Sequence, residues 1–350
     1  MLSEHSAQIL ALLRSGSAVE IGPRPVQALP HRNLTPSGVQ LVLAFGAIYL
    51  IWGSTYLGIR YAVETIPPLL MMAVRHSVAG GVVYAWARWR GAPAPQARHW
   101  VYAVVAGALL FLGGHGILAW AEQRIPSGLA ALLCATLPLW TVLLARIDGT
   151  ERWISIRGLA GVVLGFGGVA LLIGPDLLGQ RLNLLAAAGA LSSALLWAVG
   201  TAYTRRVQMP DSKLLSAAMQ MLGGGVLLLA AAVLRGEAHQ MHLAAVTARS
   251  VVALVYLIGL GSIVAFSVYT WLVAVSSPSM LSTYAYVNPV VAVILGWMLA
   301  GETLGPRTVL ATAVILTGVA LVSRRGKPAT VVQANPKASA INEAWEAAGD

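Results

Sequence analysis

The chain has 350 residues, of which 57% are hydrophobic and 10% are charged, and its mean hydropathy is +0.74. Soluble domains carry about a quarter charged residues, so this composition excludes an ordinary soluble protein and indicates that most of the chain lies in lipid. The net charge of +10 comes from basic residues scattered along the chain, unlike the basic patch of a nucleic-acid-binding protein. A single cysteine, Cys134, excludes an internal disulfide and a cysteine metal cluster.

Residues 1–37 are rich in proline and arginine, and we predict that they form a disordered cytoplasmic tail. Their one apolar run, residues 9–13, is too short for the central region of a signal peptide. Residues 324–350 are mixed polar and are predicted to form a second disordered cytoplasmic tail.

Between these tails, apolar segments of about 20 residues recur ten times, the length at which a helix crosses the bilayer core. The predicted spans run approximately over residues 38–60, 67–88, 99–121, 126–146, 154–174, 183–203, 213–234, 248–273, 280–300 and 305–323. Prolines open several of them, namely Pro67 and Pro68, Pro126, Pro278 and Pro306, where a first-turn residue has no intrahelical N–H bond to lose. The sequence therefore predicts an all-α membrane protein with ten transmembrane helices.

The basic residues near the spans indicate the orientation, because cytoplasmic loops carry the excess of Lys and Arg. With the amino terminus inside, the cytoplasmic set is Arg24, Arg32, Arg88, Arg90, Arg98, Arg146, Arg152, Arg157, Arg205, Arg206, Lys213, Arg324, Arg325 and Lys327. The smaller outside set is Arg60, Arg124, Arg181, Arg235, Arg249 and Arg307. We expect a multi-pass protein of the bacterial inner membrane with both termini cytoplasmic, a topology that requires an even number of spans.

The chain also repeats itself. A tryptophan, a mid-helix proline and a loop glutamate recur at one offset of 151 residues, pairing Trp120, Pro138 and Glu151 with Trp271, Pro289 and Glu302. Earlier in each half, Trp52 pairs with Trp197 at an offset of 145. The halves are residues 38–174 and 181–323, and an odd number of spans in each forces the second copy to insert upside down. Chance similarity between Leu- and Ala-rich helices explains single matches, but it explains the shared order poorly. The prediction is two inverted five-helix repeats, a recurrent transporter architecture.

Several strings resemble the drug/metabolite transporter superfamily, in its EamA-type two-repeat branch. They are IWGSTY at 51–56, IPSGLAALL at 125–133, ATLPLW at 135–140, VNPVVA at 287–292 and GETL at 301–304, together with Arg75 in the second span. The resemblance covers about residues 38–323. It implies ten helices, cytoplasmic termini, a central cavity lined mainly by spans 1, 3, 4, 6, 8 and 9, and, in many members, export of amino acids or related metabolites.

Ionisable side chains inside the spans are the first candidates for function, because a central Arg costs about 2.5–3.5 kcal/mol on insertion scales. Arg75 either binds an anionic group such as a carboxylate or locks the first repeat through helix carbonyls. His115 is either a proton relay or a satisfied core histidine. We expect His76 to be packed and Glu122 to form an interfacial pair with Arg124, the alternative for Glu122 being a coupling carboxylate.

The prolines of spans 4 and 9, Pro138 and Pro289, are predicted to kink their helices near the midplane and to free backbone carbonyls there. Around them we expect an amphipathic cavity for a small, partly apolar zwitterion. Its predicted lining comprises Trp52, Ser54, Thr55, Tyr56, Arg75, His115, Thr136, Trp140, Trp197, Thr201, Tyr269, Tyr284, Tyr286 and Asn288. Glu151 and Glu302 are predicted to cap the helices that follow them.

These features favour a secondary transporter that works by alternating access, most of all an exporter of amino acids or related compounds. Its expected partners are a small-molecule substrate and the lipid bilayer, without nucleic acid, metal or cofactor; a coupling proton or other ion and a homodimer are left open. A channel and a non-catalytic scaffold are the alternatives. An intramembrane enzyme is less favoured, because HExxH and GxSxG motifs are absent, and no P-loop supplies an ATP motor.

Overall fold

The computed structural model describes residues 36–147, 156–179, 183–276, 278–281 and 283–323, and these residues contain helices and turns but no strand. Ten long helices follow in chain order. They are α1 (Gly38–Ala62), α2 (Pro68–Trp89), α3 (Ala97–Glu122), α4 (Ser127–Ile147), α5 (Ile156–Gly179), α6 (Leu184–Arg206), α7 (Lys213–Leu234), α8 (Ala248–Val273), α9 (Tyr284–Ala300) and α10 (Pro306–Ser323). Nearly all of the two predicted tails, and Glu151, lie outside the described residues.

Seven of the described helices are long and apolar enough to cross a membrane, and three further apolar helices are shorter. The short ones are Ile156–Leu172 within α5, α9 itself, and Pro306–Val322 within α10. The predicted all-α membrane fold of ten helices in two inverted repeats is confirmed. Span 9 is shorter than predicted because its first turn forms a separate helix, Pro278–Leu281.

Helix starts agree with the local sequence. The side chains of Ser37, Asn183, Ser212 and Thr247 each accept a hydrogen bond from a first-turn backbone N–H, which satisfies a donor that the helix itself leaves unpaired. Prolines stand at the first position of α2 and α10, as predicted from their missing N–H. Local signals therefore set the helix starts, and the contacts described next set the packing.

Contacts between the two halves have equivalent contacts when the helices of one half are replaced by the corresponding helices of the other, as a repeat requires. If α1 to α5 correspond to α6 to α10, a contact of α1 with α9 implies one of α6 with α4, and both are present. The contacts α1–α8 and α2–α8 likewise have their counterparts α6–α3 and α7–α3. Three contacts, α2–α7, α4–α9 and α5–α10, map onto themselves. Every helix of one half therefore packs on the other half, and the polar interior lies at this junction.

Small residues bring α5 and α10 together. A Cβ atom placed on Gly318 of α10 would lie 2.5 Å from the backbone N of Gly165 and 2.6 Å from the carbonyl oxygen of Gly161. Glycine is needed there, because only a missing side chain lets the two backbones approach so closely. Glycines of α5 thus pack within the bundle at Gly161 and Gly165, whereas a Cβ placed on Gly167 would meet no atom within 4 Å.

Candidate functional site

Irregular turns interrupt α3 and α8 at corresponding places. Each contains a π-helical stretch, Ala108–Gly116 in α3 and Leu257–Val264 in α8, and the two begin 149 residues apart (257 − 108). A π-helical stretch alters the regular backbone ladder and is frequent at functional sites. Both stretches face the junction between the repeats.

Each repeat inserts one tryptophan against the π-helical stretch of the other. Trp52 of α1 donates its Nε1–H to the carbonyl oxygen of Gly261 in α8 at 3.3 Å. Trp197 of α6 packs on α3, where a Cβ on Gly114 would lie 3.0 Å from its ring, and its ring centroid is 4.7 Å from that of His115. The pairing of Trp52 with Trp197 in the sequence thus matches reciprocal positions in the structure.

Around Trp52 the structure brings three of the predicted site residues together. The ring of Trp52 lies 5.2 Å from that of Tyr269 and 5.3 Å from that of Tyr284, and the two tyrosine rings are 6.0 Å apart. These residues come from α1, α8 and α9, and all three are partly exposed. We call them the aromatic cluster. It offers apolar ring faces together with phenolic hydroxyl groups, a combination suited to a small amphipathic molecule.

A pair of histidines lies beside Trp197. His115 Nδ1 and His76 Nε2 are 3.0 Å apart, and their rings stack at 5.0 Å with an interplanar angle of 16°. Phe111 packs on His76 at 4.4 Å. Because a neutral imidazole has one donor and one acceptor nitrogen, the pair can share one N–H···N bond only while at least one ring is neutral. His76 is 1% exposed, and it was missed as a site residue because adjacency to Arg75 indicated only a different helix face.

Arg75 lies in the interior, 4% exposed, and joins the two repeats. Its Nε–H donates to Ser262 Oγ at 3.0 Å, and that hydroxyl in turn donates to the carbonyl oxygen of Leu257 at 3.0 Å. The guanidinium thus contacts the π-helical stretch of α8. The sequence had suggested, as one alternative, a lock through helix carbonyls of the first repeat. It also lies close to Gly261, which accepts the hydrogen bond from Trp52.

The expected interfacial pair of Glu122 with Arg124 is wrong. Glu122 is fully buried at the end of α3, and its backbone carbonyl accepts a hydrogen bond from Arg60 Nη1 at 2.5 Å. Arg124 turns away, donates to the carbonyl oxygen of Trp120 at 2.9 Å and stacks over that indole ring at 4.5 Å. Packing of α1 against the last turn of α3 encloses the carboxyl group, a tertiary effect that charge spacing along the chain cannot show.

The breaks in spans 4 and 9 precede the predicted kink prolines. The helix of α4 is interrupted at Ala135–Thr136, and Pro138 is the second residue of its next segment, Leu137–Ile147. Pro289 lies within the first two turns of α9, after the break that follows Leu281. Since Pro138 lacks the N–H that would bond the carbonyl four residues earlier, the ladder fails upstream of the proline.

Other predicted site residues bond backbone carbonyls of their own helix or groups of a neighbouring helix. Three threonine hydroxyls donate to backbone carbonyls: Thr55 to Trp52 at 2.6 Å, Thr136 to Leu133 at 2.6 Å and Thr201 to Trp197 at 2.8 Å. Ser54 hydrogen-bonds the hydroxyl of Tyr256. The hydroxyl of Tyr286 donates to the carbonyl oxygen of Val319 at 3.3 Å and so contacts α10. Among the described residues, none of these side chains has a ring contact with the aromatic cluster.

Tyr56 belongs to a separate contact among three helices. Tyr56 interacts electrostatically with Cys134 in α4, and Cys134 Sγ lies 3.6 Å from Ser193 Oγ in α6. The contact joins α1, α4 and α6.

Several buried polar atoms have no hydrogen-bond partner among the described residues. They are His76 Nδ1, Glu122 Oε1 and Oε2, Trp140 Nε1 and Asn288 Oδ1. An unsatisfied buried polar group costs about 1–3 kcal/mol, so native proteins contain few of them. Because these groups come from α2, α3, α4 and α9, the junction between the repeats offers donors and acceptors that a ligand, water or an ion can satisfy.

A carboxylate from the second repeat closes one end of the junction. Glu302, after α9, accepts hydrogen bonds at the start of α4 from Ser127 N (2.6 Å), Ser127 Oγ (2.7 Å) and Gly128 N (2.9 Å). We call this contact the Glu302 clamp. The sequence predicted that Glu302 caps the helix after it, whereas it caps a helix of the other repeat. Beside the clamp lies a cavity of about 240 Å³, lined in part by Arg124, Trp297 and Arg307.

The fold and this junction define a multi-pass membrane transporter: two inverted repeats of apolar helices meet at an interior that holds aromatic rings, an arginine and unsatisfied polar atoms. The chain belongs to the EamA-like transporter family, whose model matches residues 39–174 and 184–324. It is therefore a transporter of the drug/metabolite superfamily, located in the inner membrane.

Individual relatives support this assignment. The chain is 40% identical over 294 residues to the uncharacterized inner membrane transporter YedA of Escherichia coli K12. The matched region covers 81% of this chain and 92% of the relative. It is 28% identical over 276 residues to a probable terminal-alkyne amino-acid exporter of Streptantibioticus cattleyicolor, covering 78% and 90%. One solved crystal structure matches with a TM-score of 0.55 at 22% identity and covers 82% of this chain and 99% of that one, a likeness of fold.

Proposed function

We propose that this protein is a secondary transporter that moves small metabolites by alternating access, and that it exports amino acids or related compounds. The observation that carries the mechanism is the exchange of helix contacts between the repeats. When two inverted copies pack through equivalent contacts, rocking one against the other closes one side of the junction as it opens the opposite side. This geometry favours a transporter over a channel or a scaffold, and the proposal includes no enzymatic activity.

The interior supports a zwitterionic substrate. Arg75 supplies a fixed positive charge for a carboxylate; its Nε–H is engaged by Ser262, and Nη1 contacts only the weak acceptor Met72 Sδ at 4.0 Å. The aromatic cluster supplies ring faces for an apolar side chain or for an ammonium group. The probable amino-acid exporter among the relatives agrees in substrate class.

The contacts at the end of the Glu302 clamp support a closed gate on that side. Besides the clamp, the hydroxyl of Tyr61 donates to the carbonyl oxygen of Leu299 at 2.8 Å, and Ser250 Oγ donates to the carbonyl of Tyr61 at 2.7 Å. All of these bonds join one repeat to the other. Opening this end requires that they break together, and the excess of Lys and Arg in the predicted cytoplasmic loops supports an outside location for this end.

Counterflow in proteoliposomes tests the proposal. Vesicles preloaded with an unlabelled amino acid are mixed with the same labelled compound, and leucine, serine and phenylalanine serve as apolar, polar and aromatic probes. We expect saturable exchange of at least one probe, with no exchange in protein-free vesicles. Conductance without saturation would indicate a channel, and absence of exchange for amino acids and a wider metabolite panel would refute the transporter mechanism.

A substitution in the aromatic cluster and a control of equal size outside it test substrate binding in this assay. Trp52→Ala removes the ring that contacts both tyrosines, and we expect a raised half-saturation concentration in counterflow. Trp86→Ala, at an exposed position of α2, removes an equal side chain from the lipid-facing surface and serves as the control. Equal effects of the two substitutions on half-saturation would argue against substrate binding at the cluster.

A further inference from the structure

Glu122 stands out among the buried side chains because its carboxyl group is enclosed by several elements yet bonded by none. The residue is 0% exposed, and neither carboxyl oxygen has a hydrogen-bond partner among the described residues. Other buried carboxylates of membrane spans are paired or lie on ion pathways. A role for this group therefore has to come from something that binds to it.

The groups that face this carboxyl come from four places. Tyr56 and Arg60 lie on α1, Arg75 on α2, Cys134 on α4, and Glu302 in the connection after α9. The set includes two cations from the first repeat and one anion from the second. Glu122 thus interacts electrostatically with charges of both repeats, those of Glu302 and Arg75 among them.

Burial without partners restricts what Glu122 can bind. An ionised carboxylate is stable in an apolar interior only when a charge or hydrogen-bond donors contact it directly, whereas the neutral acid is accommodated far more easily. A metal cation such as Na⁺ prefers several oxygen ligands, whereas the groups around Glu122 include a thiol and two guanidinium groups, whose positive charges outnumber the one further carboxylate, Glu302. A proton needs no further ligand and leaves no net charge on the carboxyl.

We propose that Glu122 is a proton-binding site that couples proton movement to substrate movement, an inference that rests on the proposed alternating-access function. While the Glu302 end is closed, the carboxyl holds its proton as a neutral acid. When that end opens, water reaches the carboxyl, the O–H bond breaks and the proton passes to a water molecule. A proton from water on the opposite side re-forms the O–H bond later in the cycle.

The location of Glu122 explains how movement of the gate changes the charges around the bound proton. Its backbone carbonyl accepts a hydrogen bond from Arg60, and Arg60 lies one residue before Tyr61, whose hydroxyl bonds α9 across the repeats. Movement of α1 away from α9 therefore shifts Arg60, the cation that is hydrogen-bonded to the end of α3. The charge around Glu122 changes as the gate moves, which is what coupling requires.

Two measurements on reconstituted protein test this inference. Proteoliposomes loaded with the pH indicator pyranine report internal pH when an outward gradient of the transported amino acid is imposed, and counterflow at equal pH reports exchange without net proton movement. We expect wild-type protein to show both exchange and a substrate-dependent pH change. Glu122→Gln should keep counterflow while its pH change falls to the protein-free level.

Glu64→Gln is the matched control, because Glu64 lies at the same end of the bundle but is exposed and paired with Arg249 at 3.7 Å. It should keep both signals. A normal pH change in Glu122→Gln, or no substrate-dependent pH change in wild-type protein that exchanges substrate, would overturn the coupling role. Loss of counterflow in a folded Glu122→Gln variant would assign Glu122 to substrate binding and would also overturn it.

If Glu122→Gln does not fold, Glu122→Asp replaces it, because aspartate keeps the carboxyl and shortens the side chain by one methylene. We then expect a shift in the pH at which substrate-driven proton movement is half-maximal, whereas Glu64→Asp leaves it in place. An unchanged midpoint in Glu122→Asp would overturn the proposal. Absence of all exchange by the wild-type protein would instead refute the transport function itself, so the two failures are distinguishable.

Discussion

Removal of the Glu302 clamp should open one end of the bundle without unfolding it. Glu302→Ala deletes three hydrogen bonds to Ser127 and Gly128 and leaves two backbone N–H groups and a hydroxyl without that acceptor. Hydrogen bonds to charged groups contribute about 1.5–3 kcal/mol each, but water replaces the carboxylate once the end opens, so we expect a net loss of about 2–4 kcal/mol. Hydrogen–deuterium exchange of residues 127–130, in detergent or nanodiscs, should accelerate by about one and a half to three decades.

Two further substitutions test this reasoning. Glu302→Gln keeps one carbonyl oxygen as acceptor but loses the charge and one of the oxygens, so its exchange rate should fall between those of wild type and Glu302→Ala. Glu64→Ala removes an exposed ion pair with Arg249, for which about 0–1 kcal/mol is typical, and should leave exchange at 127–130 unchanged. Unchanged exchange in Glu302→Ala, or exchange accelerated uniformly over all ten helices, would show that the clamp does not hold this end closed.

Four other substitutions, one of them a control, follow from the structure. Arg75→Ala should abolish counterflow in a protein that still gives a monodisperse size-exclusion peak; a variant that aggregates would show instead that the inter-repeat bond of Arg75 is structural. Gly318→Ala places a methyl group against backbone atoms of Gly165 and should cost about 1–3 kcal/mol in thermal stability, whereas Gly167→Ala, with open space around it, should be neutral or stabilising. The Glu237 carboxyl accepts a hydrogen bond from Leu70 N at the start of α2, and burial raises the pKa of this carboxyl. Folding therefore favours its protonated form. The contribution of Glu237 to stability declines as the pH rises from the ordinary carboxyl pKa through the raised one. The melting temperature of Glu237→Gln relative to wild type should therefore be higher at pH 7.5 than at pH 4.5, and the reverse order would contradict this pKa shift.

Features that depend on one segment at a time could be read from the sequence. Span length, the prolines at helix starts and the spaced recurrence of Trp52 and Trp197 were enough to predict the helical fold and its inverted repeats. The aromatic cluster was also predictable in part, since Tyr269 and Tyr284 were expected to line one cavity with Trp52. Hydrophobic composition and repeat symmetry constrain those features directly.

Features that depend on the rotation of one helix against another could not be read in this way. His76 pairs with His115 only because α2 and α3 present those faces to each other. Glu122 is enclosed because α1 packs over the last turn of α3, and the spacing to Arg124 gave no sign of it. Likewise, Glu302 precedes α10 in the sequence but bonds α4, and nothing local distinguishes one helix start from another as its partner.

The reciprocal insertion of Trp52 and Trp197 has a consequence for the five-helix halves taken separately. Each half carries one π-helical stretch and contributes one tryptophan, Trp52 or Trp197, that packs against the π-helical stretch of the other half. A half by itself therefore has a tryptophan side chain without its packing partner and a π-helical stretch that no tryptophan covers. Two halves of opposite orientation make both contacts at once, so the junction between the repeats is self-complementary.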